Sequence, residues 1–100
     1  MQKIKSLDML NKDTISVIMF HAEWCGSCRQ IYPKFCKLSE KYNKLDCYDM
    51  DVDECLDIAE QYKIEELPTI IAFKNGKEHS RWNESIGDLD NWMEFLTVNW

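Results

Sequence analysis

Trp24-Cys25-Gly26-Ser27-Cys28-Arg29 places two thiols three positions apart, between a run of strand-forming residues and a helical pattern. Residues 15–20 are mostly apolar and β-branched, which predicts a buried strand, and apolar positions recur at helical spacing from Ile31 to Tyr42. Cys25 is therefore expected at the start of a helix, where unpaired backbone N–H groups and the helix dipole stabilise an anion. The pKa of its thiol should fall below the free value of about 8.5, which makes Cys25 a nucleophile at neutral pH.

The second thiol is expected to complete a switchable disulfide. Cys28 lies almost one turn further along, inside the predicted helix, where it can attack a mixed disulfide on Cys25 and release the product. A CxxC pair can also be half of a zinc site. That alternative is disfavoured because the sequence has no second CxxC pair, and because Cys36, Cys47, Cys55 and the two histidines lack the spacing of metal ligands. We therefore expect no metal and no organic cofactor.

Length, charge and cysteine count limit the class of protein. One hundred residues, of which 45% are hydrophobic, are expected to form a single domain, residues 1–100. The net charge of −6 argues against nucleic acid or an anionic membrane as a partner. Five cysteines cannot all pair internally, and the sequence shows neither a charged-then-apolar leader nor the roughly 20 apolar residues of a membrane span. We expect a soluble, cytoplasmic protein.

Alternating strand and helix patterns predict an α/β fold with a central mixed β-sheet flanked by helices on both faces. The predicted elements are strand 2–5, helix 6–10 with Ser6 as its cap, strand 15–21, a helix kinked by Pro33 that ends near Tyr42, strand 45–52, helix 53–62, strand 69–73, strand 78–82 and helix 89–98. The Asn75-Gly76 pair is typical of a tight hairpin turn. This order places the CxxC pair at the carboxyl end of a central strand, where α/β proteins hold their sites.

Helical spacing also predicts which side chains face the core. For the helix at 53–62 these are Leu56, Ala59 and Tyr62, and for the helix at 89–98 they are Trp92, Phe95 and Leu96. Trp82, Trp92 and Trp100 are interpreted as core or edge packing.

Four ordered motifs resemble those of the thioredoxin family, and the resemblance extends over essentially the whole chain. The motifs are residues 20–29 with Pro33, residues 51–54, Leu67-Pro68-Thr69, and residues 73–77. Residues 35–42 followed by 51–55 are similar to the eukaryotic cytosolic branch of that family. The resemblance implies the thioredoxin fold.

The same resemblance implies a protein-disulfide reductase in which Cys25 attacks substrate disulfides, Cys28 resolves and Trp24 shields the thiolate. It implies disulfide-containing protein substrates, thioredoxin reductase or a related electron donor, and a monomeric chain. Pro68 is expected to follow a cis peptide bond, whose sharp bend can hold a substrate peptide against the sulfur. Other implied active-site residues are Trp24, Gly26, Ser27 and Pro68, and implied substrate-binding residues are Trp24, Leu67, Pro68, Thr69 and Gly87.

Two positions depart from the family pattern. Ser27 stands where thioredoxins usually carry proline, and its hydroxyl can hydrogen-bond a nearby thiolate and so change the balance between dithiol and disulfide. Met19 stands where the family buries an aspartate that assists proton transfer at the resolving thiol, which a thioether cannot do. Either Cys28 is deprotonated more slowly, through water, or another carboxylate serves as the proton relay, for which Asp49 and Glu23 are the candidates. Asp49 also fits a solvated or ion-paired strand residue.

Two other functions stay open at the level of sequence. One is a disulfide isomerase or oxidant of the same fold, which would have a higher redox potential. The other is a non-catalytic thioredoxin-like binding module, which the absence of the family's aspartate suggests. Among the remaining thiols, Cys36 and Cys47 are expected to be small buried apolar residues, whereas Cys55 is placed at an exposed helix start, which makes it a candidate for a regulatory role or an intermolecular disulfide. His21 is expected to pack near the end of its strand.

Overall fold

The computed structural model describes residues 1–98, which form five strands and three α-helices. In chain order these are β1 Gln2–Lys3, β2 Ser16–His21, α1 Gly26–Lys41, β3 Asp46–Asp51, α2 Leu56–Gln61, β4 Thr69–Lys74, β5 Lys77–Trp82 and α3 Leu89–Val98. Within this part of the chain, no helix combines the length and apolarity needed to cross a membrane. The predicted packing of Trp100 lies outside the described residues.

The strands form one mixed sheet in the order β1-β3-β2-β4-β5. β3 runs parallel to both β1 and β2, whereas β4 runs antiparallel to β2 and β5. The central strand β2 is buried from Ser16 to Phe20, because strands flank it on both sides and helices cover the sheet. Every predicted strand is present, although the first is shorter than the predicted 2–5. The mixed sheet predicted from the sequence is confirmed.

Helices cover both faces of this sheet. On one face the indole N–H of Trp92 in α3 donates to Ser80 Oγ of β5 at 3.0 Å. On the other, Tyr62 at the end of α2 packs edge-on against Phe73 of β4, with ring centroids 5.3 Å apart. The faces are opposite because Ser80 pairs with Ala72, and successive strand residues such as Ala72 and Phe73 point to opposite sides. This confirms the predicted flanking of the sheet.

Helix α1, which contains Pro33 as predicted, is tied to α3 by charged side chains. Lys34 Nζ lies 3.2 Å from Asp88 Oδ1, and Lys41 Nζ lies 3.0 Å from Asp90 Oδ2. The hydroxyl of Tyr42, the C-cap residue of α1, also donates to Asp90. These contacts hold α1 in position, and the start of α1 carries the cysteine pair.

Residues 6–10 form a turn rather than the predicted helix. The N–H of Leu10 donates to the carbonyl of Leu7 at 3.3 Å, and the N–H of Asp8 donates to Ser6 Oγ at 3.1 Å. Ser6 makes the contact expected of a cap, but serine side chains stabilise isolated turns in the same way. Five residues are too few to offset the cost of nucleating a helix.

Helix α2 begins at Leu56, three residues later than predicted. Asp51 Oδ1 accepts the N–H of Asp53 at 2.8 Å, and the Asp51 carbonyl accepts the N–H of Glu54 at 3.1 Å, so a turn precedes the helix. Leu56 is consequently 66% exposed and not the core residue that was predicted. The other two predicted core residues of this segment, Ala59 and Tyr62, are half-buried against the core.

Helix α3 has the predicted bounds and a slightly different buried face. Leu89, Trp92, Met93 and Leu96 are buried, at the i, i+3, i+4 and i+7 spacing of one helical stripe. Phe95 lies outside that stripe and is 54% exposed, so its predicted inward position is wrong.

The predicted hairpin turn between β4 and β5 is confirmed. Asn75 and Gly76 both have positive φ, 55° and 77°, which the favoured two-residue hairpin turn requires.

Candidate active site

Cys25 and Cys28 lie at the junction of β2 and α1 and form a disulfide, with Cα atoms 5.3 Å apart. Cys25 is the N-cap residue of α1, with extended backbone angles of φ −89° and ψ 109°. Its Sγ accepts the backbone N–H of Cys28 at 3.2 Å. The first turn of the helix therefore directs an otherwise unpaired donor at the Cys25 sulfur, as expected from the sequence. In the reduced protein the same N–H would stabilise a thiolate.

Both cysteines are largely shielded from solvent. Cys25 keeps 7% of its surface exposed and Cys28 keeps 3%, so the outer and inner positions match the predicted attacking and resolving thiols. Gly26 leaves the approach open, since a Cβ atom there would meet nothing within 4 Å.

A groove of about 500 Å³ reaches Cys25. Its lining includes Trp24 and Ser27 from the cysteine turn and residues 64–67 from the loop before β4. Trp24 is 68% exposed, and its indole N–H donates to Asp53 Oδ2 at 2.8 Å. This hydrogen bond fixes the ring beside the groove, where it can contact a bound peptide.

Ser27 joins the cysteine turn to the loop that precedes β4. Its Oγ lies 3.5 Å from Cys25 Sγ and donates to the Leu67 carbonyl at 3.3 Å. The Leu67–Pro68 peptide bond is cis, as predicted, and Pro68 is buried. Because one hydroxyl proton faces two acceptors, Ser27 can change its partner when charge develops on Cys25.

Three of the predicted substrate-binding residues, Pro68, Thr69 and Gly87, are not among the residues that line this groove. Thr69 is buried, and its hydroxyl donates to the Glu66 carbonyl at 2.7 Å, which shapes the loop. Gly87 precedes α3 with a φ of 132°, and its carbonyl accepts the indole N–H of Trp82 at 3.0 Å. Contact of Pro68, Thr69 or Gly87 with a substrate stays a prediction.

A second cavity, of about 620 Å³, reaches the other half of the disulfide, Cys28. It is also lined by His21, Glu23 and Asp49. His21 Nε2 and Asp49 Oδ2 are 2.7 Å apart, and Asp49 is only 5% exposed. The structure thus places Asp49 in a hydrogen bond with His21 and brings both candidate relay carboxylates to the cavity of Cys28.

Met19 is completely buried and belongs to the hydrophobic core. Its partners in the sheet are Asp49 on β3 and Ile70 on β4. A carboxylate is therefore present directly beside the position where the family carries its aspartate.

The three remaining cysteines are free. Cys36 and Cys47 are half-buried, and burial raises the pKa of Cys47 to about 12. Cys55 was predicted at an exposed helix start, but it is 6% exposed and donates its S–H to the Lys5 carbonyl at 3.8 Å. Burial also raises the pKa of Cys55, so the exposure on which its regulatory role depended is absent. Within residues 1–98, no three His, Cys, Asp or Glu side chains lie together as metal ligands would.

Three hydrogen bonds that shape the site were not predicted from the sequence. Asp53 holds Trp24, His21 holds Asp49, and the Arg29 guanidinium donates to the Glu23 carbonyl at 2.7 Å. The sequence signals for these contacts were weak: a run of acidic residues follows one predicted strand, and the polar residue His21 ends another strand that is otherwise apolar. The contacts themselves join residues as many as 29 positions apart.

Comparison with known proteins gives consistent matches. A family model of thioredoxin matches residues 5–95. Thioredoxin-1 of Saccharomyces cerevisiae is 45% identical over 67 residues, which are 67% of this chain and 65% of that protein. Thioredoxin of Echinococcus granulosus is 42% identical over 66 residues, 66% of this chain and 62% of that protein. The chain thus spans less than two thirds of the length of these curated relatives.

Solved structures match over a larger share of the chain. The crystal structure of Malassezia sympodialis thioredoxin has a TM-score of 0.84 at 33% identity and covers 96% of this chain and 90% of that one. A structure of Plasmodium falciparum thioredoxin has a TM-score of 0.82 at 28% identity and covers 95% of this chain and 98% of that one. The similarity therefore extends from the cysteine motif to the whole sheet and its helices.

Proposed function

This chain belongs to the thioredoxin family, and from that membership we propose that it reduces disulfide bonds of other proteins through Cys25 and Cys28. The observation that carries the proposal is the disulfide between these residues at the N-terminus of α1, reached by a groove on its Cys25 side. A sulfur that can be bonded to its neighbour or accept a helix N–H is suited to alternate between disulfide and thiolate.

The proposed reaction is a two-step exchange. In the reduced chain, the Cys25 thiolate attacks one sulfur of the substrate disulfide, forms a mixed disulfide and displaces the first substrate thiol. The Cys28 thiolate then attacks Cys25 Sγ, which forms the Cys25–Cys28 bond and releases the second substrate thiol. Two electrons pass to the substrate, and its two sulfurs take up the two protons that the chain gives up.

We place the substrate in the groove beside Cys25. The exposed ring of Trp24 supplies apolar contact area, and the backbone at Leu67, which Pro68 follows, can pair with an extended peptide. Thr69 and Gly87 are proposed to support this surface from further away.

The exchange needs only sulfur atoms, so the proposal includes neither a metal nor an organic cofactor. We propose that thioredoxin reductase or a related donor returns the two electrons. The chain is proposed to act as a monomer in the cytoplasm on disulfide-containing proteins.

Insulin reduction tests the proposal, assayed in parallel with dithiothreitol and with NADPH plus thioredoxin reductase. We expect insulin to precipitate in both assays, and we expect Cys25→Ser to abolish the activity. Cys36→Ser is the matched control, because it removes a half-buried thiol of the same helix and should leave the rate unchanged. Activity with dithiothreitol alone would contradict the proposed donor, and inactivity in both assays would contradict the proposed function.

The two alternatives make different predictions. An oxidant or isomerase would equilibrate with glutathione at a distinctly higher potential, where about 30 mV corresponds to a tenfold change in the equilibrium constant. A binding module would keep its biological function in a Cys25→Ser/Cys28→Ser double variant. The intact disulfide at the helix start favours the reductase over the binding module.

A further inference from the structure

The second step of the proposed reaction raises a problem of proton transfer. Cys28 must lose its proton before it can attack the mixed disulfide, yet it is only 3% exposed. Met19, at the position of the family's aspartate, cannot accept a proton. A base within reach of the Cys28 cavity would remove this barrier.

The sheet register places two such groups next to Met19. Asp49 pairs with Met19 across the parallel β2–β3 ladder, and His21 follows two residues later on the same face of β2. His21 Nε2 and Asp49 Oδ2 lie 2.7 Å apart, and the two side chains are 17% and 7% exposed. An imidazole hydrogen-bonded to a buried carboxylate in this way has a fixed orientation.

The cavity of about 620 Å³ connects this pair to the thiol. Its lining includes Cys28, His21 and Asp49. Since a water molecule in liquid occupies about 30 Å³, the cavity has room for the water molecules that would carry a proton between them.

We infer that His21 and Asp49 form the proton relay for Cys28, in place of the carboxylate that β2 lacks at Met19. Asp49 accepts the Nε2–H of His21, and Nδ1 of His21 takes the Cys28 proton through water. The Cys28 thiolate then attacks Cys25 Sγ, so that the Cys25–Cys28 bond forms and the bond from Cys25 to the substrate breaks. The leaving substrate sulfur keeps the electron pair and takes up a proton. This inference rests on the proposed reductase function.

Glu23 fits this role less well, although it lines the same cavity. Its side chain is exposed, so water solvates the carboxylate, whereas the His21–Asp49 pair is largely buried. Lys3 lies opposite Asp49 in the β1–β3 register, and a hydrogen bond with Glu54 raises the pKa of Lys3, so a positively charged side chain stands on β1 beside the pair. The charged and titratable groups facing the pair are the Met1 amino group, Lys3, Glu23, Arg29, Tyr32 and Asp51.

The test separates the two chemical steps. A peptide with one disulfide is mixed with the reduced chain, the reaction is quenched by acid, and mass spectrometry follows the Cys25 mixed disulfide at pH 6–9. We expect His21→Gln and Asp49→Asn to slow decay of the mixed disulfide roughly 10²-fold at pH 7, the scale of general-base catalysis, while its formation keeps the wild-type rate. The deficit should shrink towards pH 9, because solvent then deprotonates Cys28.

Controls keep structural damage apart from chemistry. Asp46→Asn makes the same change at the other end of β3, and we expect it to leave both steps unchanged. Met19→Asp added to His21→Gln should restore decay, because it returns a carboxylate to the adjacent position on β2. Wild-type decay rates and pH profiles in His21→Gln and Asp49→Asn would overturn the relay, as would a slowing by Glu23→Gln alone. If the wild-type chain formed no mixed disulfide, the reductase proposal itself would be contradicted.

Discussion

Ser27 controls how strongly the Cys25 thiolate is held, because its hydroxyl faces both Cys25 Sγ and the Leu67 carbonyl. In the disulfide the carbonyl is the better acceptor, whereas a thiolate on Cys25 would attract the hydroxyl proton. We expect Ser27→Ala to raise the pKa of Cys25 by roughly one to two units, since a hydrogen bond to a charged group contributes about 1.5–3 kcal/mol and one unit equals about 1.4 kcal/mol. The pH dependence of Cys25 alkylation measures this change.

Ser27→Thr is the matched variant, because it keeps the hydroxyl. If threonine and alanine raised the pKa of Cys25 equally, the hydroxyl would have no role. Loss of the hydroxyl should also disfavour the reduced form, which carries the Cys25 thiolate, so we expect Ser27→Ala to be oxidised more readily by glutathione disulfide.

The five thiols should differ sharply in reactivity. When the reduced chain meets iodoacetamide at pH 7.5, we expect Cys25 to be labelled first and Cys47 and Cys55 to stay unlabelled, because burial raises the pKa of both and shields them. Peptide mass spectrometry after short exposure measures the order. Denaturant should make Cys47 and Cys55 reactive, and labelling of Cys28 before Cys25 would reverse the assigned roles.

At the scale of elements, the contact between α1 and α3 should make stability depend on pH. Hydrogen bonds from Tyr42 and Lys41 hold the pKa of Asp90 below its ordinary value. Because the folded pKa is the lower one, this stabilisation is fully present above the unfolded value of about 3.9 and is lost as the pH falls through the folded pKa. We expect Asp90→Asn to lower the free energy of unfolding at pH 7 and to match the wild type at the acid end.

Urea denaturation at a series of pH values measures this difference. Asp8→Asn is the control, because it removes an exposed carboxylate from the 6–10 turn. A constant difference between Asp90→Asn and the wild type at every pH would mean that the carboxylate charge is not what joins the helices.

The sequence predicted a helix, strand or turn correctly where a single local factor, such as burial or backbone preference, determines the structure. The apolar run before the cysteines, the Asn75-Gly76 turn and the bounds of α3 follow from burial or backbone preference alone. The helix predicted at 6–10 and the early start of α2 were wrong because Ser6 and Asp51 form side-chain hydrogen bonds that stabilise turns as readily as helix starts. The prediction for Phe95 was wrong because Met93, and not Phe95, belongs to the buried stripe of α3.

At the scale of the whole molecule, charge should select substrates. The net charge is −6, and Glu65 and Glu66 line the groove that reaches Cys25. We expect peptide disulfides with flanking lysines to form the mixed disulfide faster than the same peptides with flanking glutamates, and we expect salt to reduce the ratio. Stopped-flow measurement of mixed-disulfide formation at 20 and 500 mM salt gives the ratio of the two rates.

Glu65→Gln/Glu66→Gln is the matched variant for this prediction. It should reduce the preference for basic peptides and leave the rate with an uncharged peptide unchanged. An equal preference at both salt concentrations would contradict an electrostatic origin.

The site could be predicted from sequence only in part, and the reason lies in distance along the chain. The cysteine pair, its helix start and the cis bond before Pro68 belong to short segments whose chemistry is local. The pairs Trp24–Asp53 and His21–Asp49 depend on how β2 and β3 register against each other, which no local pattern specifies. Met19 drew attention to a missing carboxylate, but only the register shows that Asp49 lies beside it.

The two edges of the sheet bear on aggregation. One edge strand, β1, offers only the two residues Gln2–Lys3, and the other, β5, carries Lys77, Glu78 and Arg81 and is interrupted where pairing with β4 skips His79. Long, flat, uncharged edges recruit strands from other molecules and begin fibrils. A very short edge and a charged, bulged edge both resist such recruitment. Copies of this chain at high concentration are therefore expected to stay separate rather than to join sheet to sheet.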